Sequence, residues 1–371
     1  MTSAGVIETY GHGGDLLTAA QRFGREPGQF LDYSANINPL GMPASVREML
    51  LASLAAVAHY PDPGHRVFRR ALAKRLQVPE EWLLPANGAA EAMALAILGL
   101  SPETVGVVYP CFSEYAQLSE QYGARVIGCF GKEANGYKPD PIELHTLFTQ
   151  SDLVFVGSPN NPTGILYQPD ELRQMAEWTS KTNTWLIVDE AFLDFVEEDR
   201  QYTLATQLER FPRVILMRSM TKMYAIPGLR LGYAIAHPDV IARMRQKQVS
   251  WSVNALALLA GELCLQEQAY EEQTRRLIKA ERAYLIDCIS DELGWQVWPG
   301  EANFLLLRSP EGLPAEQLQA RLGKKGVLIR NCAMYPGLTA HDVRIAVRGR
   351  EENERLLAAL REVHAEGSEQ R

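Results

Sequence analysis

Between residues 45 and 238, short continuous apolar runs alternate with longer stretches in which apolar positions return every three or four residues. The runs at 105–109, 125–127, 153–157, 184–188, 214–217 and 231–236 read as strands. Those at 153–157 and 184–188 have almost no polar position, as strands buried on both faces require. Between them, 89–98, 114–122, 169–181 and 240–248 carry the helical period. Strand alternating with helix predicts an α/β fold with a mostly parallel sheet.

The pattern then changes. From 252 to 289 no proline interrupts apolar positions at helical spacing, which predicts one long helix, bent near Gly261. Segments 303–307, 327–329 and 343–347 read as strands of a second, smaller sheet, and 352–363 as an amphipathic closing helix. The polar stretch from 365 onward is expected to fray. A chain of 371 residues exceeds one compact core, so two associated domains are expected. The larger spans 45–250 and the smaller 251–371.

Composition mainly excludes. The formal net charge is −8 with acids and bases interspersed, which argues against nucleic acid or an anionic membrane as the main partner. An anionic substrate would therefore need a local arginine cluster. The five cysteines are odd in number and lack CxxC spacing, suggesting neither zinc nor a disulfide framework and making a reducing cytoplasm the expected compartment. No apolar run reaches the roughly 18–20 residues of a membrane span, and the N-terminus lacks a signal-peptide pattern.

The chemistry concentrates in a few loops. Lys222 stands between the hydroxyls of Ser219 and Thr221 and the guanidinium of Arg230, with a turn forced at Pro227 and Gly228. Neighbouring positive charge and burial would discharge its amine and make it a Schiff-base former. The hydroxyls and Arg230 suit a phosphate. Lysine plus phosphate cradle points to pyridoxal 5'-phosphate. Asp189 follows the run at 184–188 directly. At the carboxyl end of a parallel strand it either meets a pyridinium nitrogen or caps the next helix. Asn161, held between Pro159 and Pro162 after another run, either donates to a ring oxygen or shapes an ordinary turn. Gly88 and Ala89 open an alanine-rich helix whose first N–H groups suit an anion.

These four elements, in this order and each beside a strand, resemble the fold-type I pyridoxal-phosphate enzymes, in the branch of histidinol-phosphate aminotransferases. The resemblance runs from about 11 to about 360. Three segments narrow it to the threonine-phosphate decarboxylases of cobalamin biosynthesis. They are His12-Gly13-Gly14, Ser34 to Gly41 with Asn36 and Asn38, and Ile329 to Leu338 with Arg330 and Tyr335.

The resemblance implies a large domain with a mostly parallel seven-stranded sheet, a smaller α+β domain, and an N-terminal segment, 1–44, packed with the smaller one. It makes Lys222 the cofactor lysine, Asp189 the pyridinium partner, and Phe112 the aromatic stacked on the ring. Ser219, Arg230, Gly88 and Ala89 would hold the cofactor phosphate. Tyr60 would reach the cofactor of a neighbouring subunit, making a homodimer obligatory. Arg344 would bind the substrate carboxylate, and Arg330, His12, Gly13 and Asn36 its phosphate, with Asn161 also touching substrate. Phe192 departs from the aminotransferase pattern, where a tyrosine donates to the ring oxygen. That favours decarboxylation of threonine O-3-phosphate, with histidinol-phosphate transamination and phosphoserine decarboxylation as alternatives.

Overall fold

A computed structural model describes residues 12–368. In chain order its strands are β1 Leu31–Asp32, β2 Leu83–Ala86, β3 Thr104–Tyr109, β4 Arg125–Phe130, β5 Leu153–Gly157, β6 Trp185–Asp189 and β7 Val214–Ser219. They continue with β8 Gly232–Ala236, β9 Gln296–Trp298, β10 Phe304–Arg308, β11 Val327–Leu328, β12 Arg330–Asn331 and β13 Asp342–Ala346.

Seven strands form the large sheet in the order β2-β8-β7-β6-β5-β3-β4. Strands β3 to β7 run parallel, while β8 is antiparallel to both β7 and β2. Each central strand feeds two cores. Leu153 and Phe155 join one apolar cluster with Ile187, Ile215 and Met217, and Val154 and Val156 join the other with Leu186, Val188 and Leu216. That two-sided burial explains why these strands read as unbroken apolar runs. Register places Gly157, Asp189 and Met217 side by side, so β5 and β6 end together, β7 runs on to Ser219, and their following loops meet over one edge.

The seventh strand, β2, is absent from the pattern-based expectation because Pro85 interrupts it. It lies at the sheet's border, bonded on one side only, where proline's missing N–H leaves no partner unserved. The helix expected over 252–289 is two helices, Ala255–Cys264 and Gln268–Asp287, the second running into a π turn at Cys288–Glu292. The break falls at 265–267, and Gly261 is no hinge. A Cβ there would lie 2.6 Å from side-chain carbons of both Leu231 and Phe68, so the glycine serves close packing.

The small antiparallel sheet has the order β12-β13-β10-β9. The expected strand at 327–329 is split. β11 pairs in parallel with β1, near the N-terminus, whereas β12 pairs with β13. The closing helix is Arg350–Ser368, so helix replaces fraying through residue 368. Among the described residues no helix is long and apolar enough to cross a membrane, and no group of His, Cys, Asp and Glu could hold a metal.

Candidate active site

A cavity of about 740 Å³ opens where β5, β6 and β7 end, the place where parallel sheets present ligands. Its walls come from the large sheet, the small sheet and the 12–37 segment. Lys222 lines it. Burial lowers the pKa of its amine to about 8, with Arg344 and Arg230 pushing the same way and Asp32 opposing. The backbone around Lys222 is clasped from the N-terminal side. Asn38 N–H donates to the Lys222 carbonyl (3.1 Å) and the Asn38 amide to the Met223 carbonyl (2.7 Å).

Asp189 ends β6 and is buried. Its Oδ1 accepts the Ala191 N–H (3.0 Å) and its Oδ2 the Tyr115 hydroxyl (2.7 Å). It therefore closes a tight turn and caps no helix. The next helical turn, Leu193–Phe195, begins after Phe192. Burial raises the Asp189 pKa, and the two donors pull it back.

At another wall, Ser219 and Thr221 hydroxyls lie 2.7 Å apart. Gly88 precedes the helix Ala89–Leu100, whose first N–H groups have no intrahelical partner. A Cβ at Gly88 would stand 2.6 Å from Arg230 Nη2, and the residue's φ of +81° is itself one that favours glycine, so the guanidinium lies close against the helix start. Donors and a cation at one wall, a buried carboxylate at another, and a lowered-pKa amine fit pyridoxal 5'-phosphate. Phe112 lines the same space, edge-on to Tyr115.

The small-sheet side of the cavity is built from pairs. Arg330 and Arg344 stand directly opposite each other on β12 and β13, so both side chains leave one face of the small sheet. Both are buried and line the cavity. Arg344 donates to Asn161 Oδ1 (2.5 Å) and to the Ser34 carbonyl (2.7 Å). With its oxygen so engaged, the Asn161 amide has its NH₂ group as the donor left to offer. Asn36 is buried with a carboxamide oxygen that makes no hydrogen bond among the described residues. His12 Nε2 meets Glu114 Oε1 at 2.8 Å, and Gly13 lies hard against Ser34.

Thirteen of the sequence-derived candidates thus surround one space: Lys222, Asp189, Asn161, Ser219, Phe112, Ala89, Arg230, His12, Gly13, Asn36, Arg330 and Arg344 line it, and Gly88 backs it. Tyr60 does not. It is 80% exposed, outside the cavity, with its ring 4.7 Å from that of Trp251.

A model of aminotransferase class I and II proteins matches residues 29–360. The chain belongs to the aminotransferase class I and II family. It is 42% identical over 353 residues, 95% of this chain and 96% of the relative, to threonine-phosphate decarboxylase of Salmonella typhimurium. It is 29% identical to an adenosylcobalamin biosynthesis bifunctional protein of Leptospira interrogans, covering 94% of this chain and 40% of that protein. The crystal structure of histidinol-phosphate aminotransferase from Clostridium acetobutylicum superposes with a TM-score of 0.84 at 29% identity, covering 91% of this chain and 99% of that one. As a member of this family, the protein is an enzyme that uses pyridoxal 5'-phosphate.

Family membership leaves several cavity residues that sequence reasoning passed over, namely Asp32, Glu114 and Tyr115. Glu114 and Tyr115 follow Phe112 in the same turn, and that adjacency was the available signal. One consequence concerns Gly13. A Cβ there would fall 2.3 Å from the Ser34 carbonyl oxygen, closer than atoms tolerate, so Gly13→Ala must lift the 12–14 loop. The expected result is a KM raised about tenfold with a near-parental melting temperature, since a surface loop gives way at little cost. Steady-state kinetics beside a thermal melt checks it.

Proposed function

We propose that this enzyme decarboxylates L-threonine O-3-phosphate to (R)-1-aminopropan-2-ol O-2-phosphate and carbon dioxide, serving cobalamin biosynthesis. The observation that carries it is the facing pair Arg330 and Arg344. Directly opposed antiparallel residues sit about 4.5–5.5 Å apart at Cα, so two guanidiniums present themselves to one short ligand. An amino acid carrying a carboxylate and a phosphate on adjacent carbons uses both. Histidinol phosphate has no carboxylate to offer the second. The 42% identity to a threonine-phosphate decarboxylase supports the same choice.

The roles follow from the chain's own groups. Ser219, Thr221, Arg230 and the N–H groups at Gly88 and Ala89 would hold the cofactor phosphate. Asp189 would hold the ring nitrogen, Phe112 the ring face, and the Asn161 NH₂ the ring oxygen. When bound, the cofactor supplies an electron-accepting ring for the pair released as the carboxylate–Cα bond breaks. Arg344 engages that carboxylate by a planar fork. Arg330, His12, Gly13 and Asn36 take the substrate phosphate. Lys222 Nζ returns a proton to Cα. Phe192, buried against Phe304, gives no hydroxyl to the site.

The same reading joins residues 1–44 to the 251–371 domain, a division the β1–β11 pairing supports. It also makes the enzyme a homodimer in which the exposed Tyr60 serves the neighbouring subunit's site. The test is incubation of the cofactor-loaded enzyme with threonine phosphate and no keto acid. Equal amounts of carbon dioxide and amine phosphate are expected. Turnover that requires 2-oxoglutarate would establish transamination instead.

A further inference from the structure

The hydrogen bond from Tyr115 to Asp189 joins residues 74 positions apart and is wholly buried. Tyr115 is held from its own side. Its ring stacks on Phe155, with centroids 4.9 Å apart and planes within 8°. Burial and the nearby Asp189 charge keep its phenol pKa well above the usual value, so the hydroxyl remains a donor at any working pH. The two oxygens of Asp189 then have one donor each, Tyr115 at Oδ2 and the Ala191 N–H at Oδ1. Two fixed donors set the plane of the carboxylate as well as its charge.

No charge on the sheet shares this work. Asp189 is flanked by Gly157 on β5 and Met217 on β7. Its chain neighbour Glu190 belongs to the opposite face, where it pairs with Arg218 at 2.7 Å. Cys111, close to Tyr115, is kept neutral by burial. His12, Asp32, Glu114, Lys222, Arg230, Arg330 and Arg344 line the same cavity, but the causes acting on Asp189 are its burial and its two donors. Burial alone would favour the neutral acid, which cannot hold a cation.

We propose that Tyr115 is a positioning residue for the cofactor, its fixed hydroxyl holding the Asp189 carboxylate in the orientation that receives a cationic ring nitrogen. This rests on the assignment of Asp189 in the proposed function. Removing the donor destabilises the carboxylate, so Asp189 takes up its proton at higher pH. Cofactor binding should then fail at higher pH too.

The experiment measures the dissociation constant of pyridoxal 5'-phosphate from the cofactor-stripped enzyme between pH 5.5 and 8.5, for the parent, Tyr115→Phe and Asp189→Asn. Phenylalanine keeps the stack on Phe155 and removes only the hydroxyl. For Tyr115→Phe the expected result is near-parental affinity at the alkaline end and about tenfold weaker binding near pH 6, the low side of what a hydrogen bond to a charged group contributes. A loss equal at every pH, or no loss, overturns the role of Tyr115. For Asp189→Asn, weak and pH-independent binding is expected. Parental binding by that variant overturns the assignment of Asp189 itself, and the proposal with it.

A second readout needs no cofactor. In infrared difference spectra of the stripped protein, the Asp189 carboxylic-acid band should emerge at higher pH in Tyr115→Phe than in the parent. An unshifted band sinks the proposal even where the binding data agree.

Discussion

Lys222→Ala keeps a parental circular dichroism spectrum and turns over at less than about a thousandth of the parent rate, the scale of losing both a nucleophile and an acid–base group. Two further measurements separate this from general damage. Borohydride treatment of the loaded parent should attach the cofactor covalently to the peptide containing Lys222, and the variant should yield no such peptide. The rate of covalent attachment to the stripped parent should climb with pH and level off above about 8. The sign follows from the amine, which attacks only when neutral, and whose pKa burial and the Arg344 and Arg230 charges bring down to about 8. At pH 7 about a tenth of it is neutral. A label on another lysine, or attachment still rising past pH 10, would remove the foundation of the catalytic reading.

Arg344→Lys is expected to lower kcat/KM by about 10²- to 10³-fold, roughly 3–4 kcal/mol of transition-state binding. Charge is conserved in this variant, so the loss measures geometry. Lysine gathers its donors on a single nitrogen, where arginine spends one amine on the Asn161 oxygen and the other on the Ser34 carbonyl. Both kcat and KM should suffer, because the Asn161 amide loses the partner that fixes its orientation. Arg330→Lys, in contrast, should act mainly on KM. Its guanidinium meets the Met334 sulfur and the Tyr335 ring. An Arg344→Lys variant with parental kcat/KM would show that the substrate carboxylate is read elsewhere.

The lysine turn was legible because its signals are local. Ser219, Thr221, Pro227, Gly228 and Arg230 fall within twelve residues, and their chemistry needs no partner from afar. The strands at 153–157 and 214–217 were equally plain, since burial on both faces leaves no polar position to confuse the period. Other features depend on contacts that one sequence does not encode visibly. Arg330 and Arg344 are separable by eye, but their facing register is a property of β12 and β13 together. Tyr115, on the helix Glu114–Gln121, resembles any core tyrosine until Asp189 arrives from β6. A glycine in a helix can signal a bend or a tight crossing, and at 261 Phe68 and Leu231 decide for the crossing. The break at 265–267 has neither proline nor glycine to announce it. Pro85 disguised a border strand for a related reason, because only the finished sheet shows which side of β2 lacks a neighbour.

The bond between Arg344 and Asn161 spans 183 residues of chain and ties the small sheet to a loop of the large one. Without β13 the large sheet's loop would present Asn161 with its amide oxygen unanchored. In the roles proposed for them, cofactor oxygen and substrate carboxylate would be read through this one shared contact, and a ligand that pulled the arginine away would be felt at once at the ring's edge.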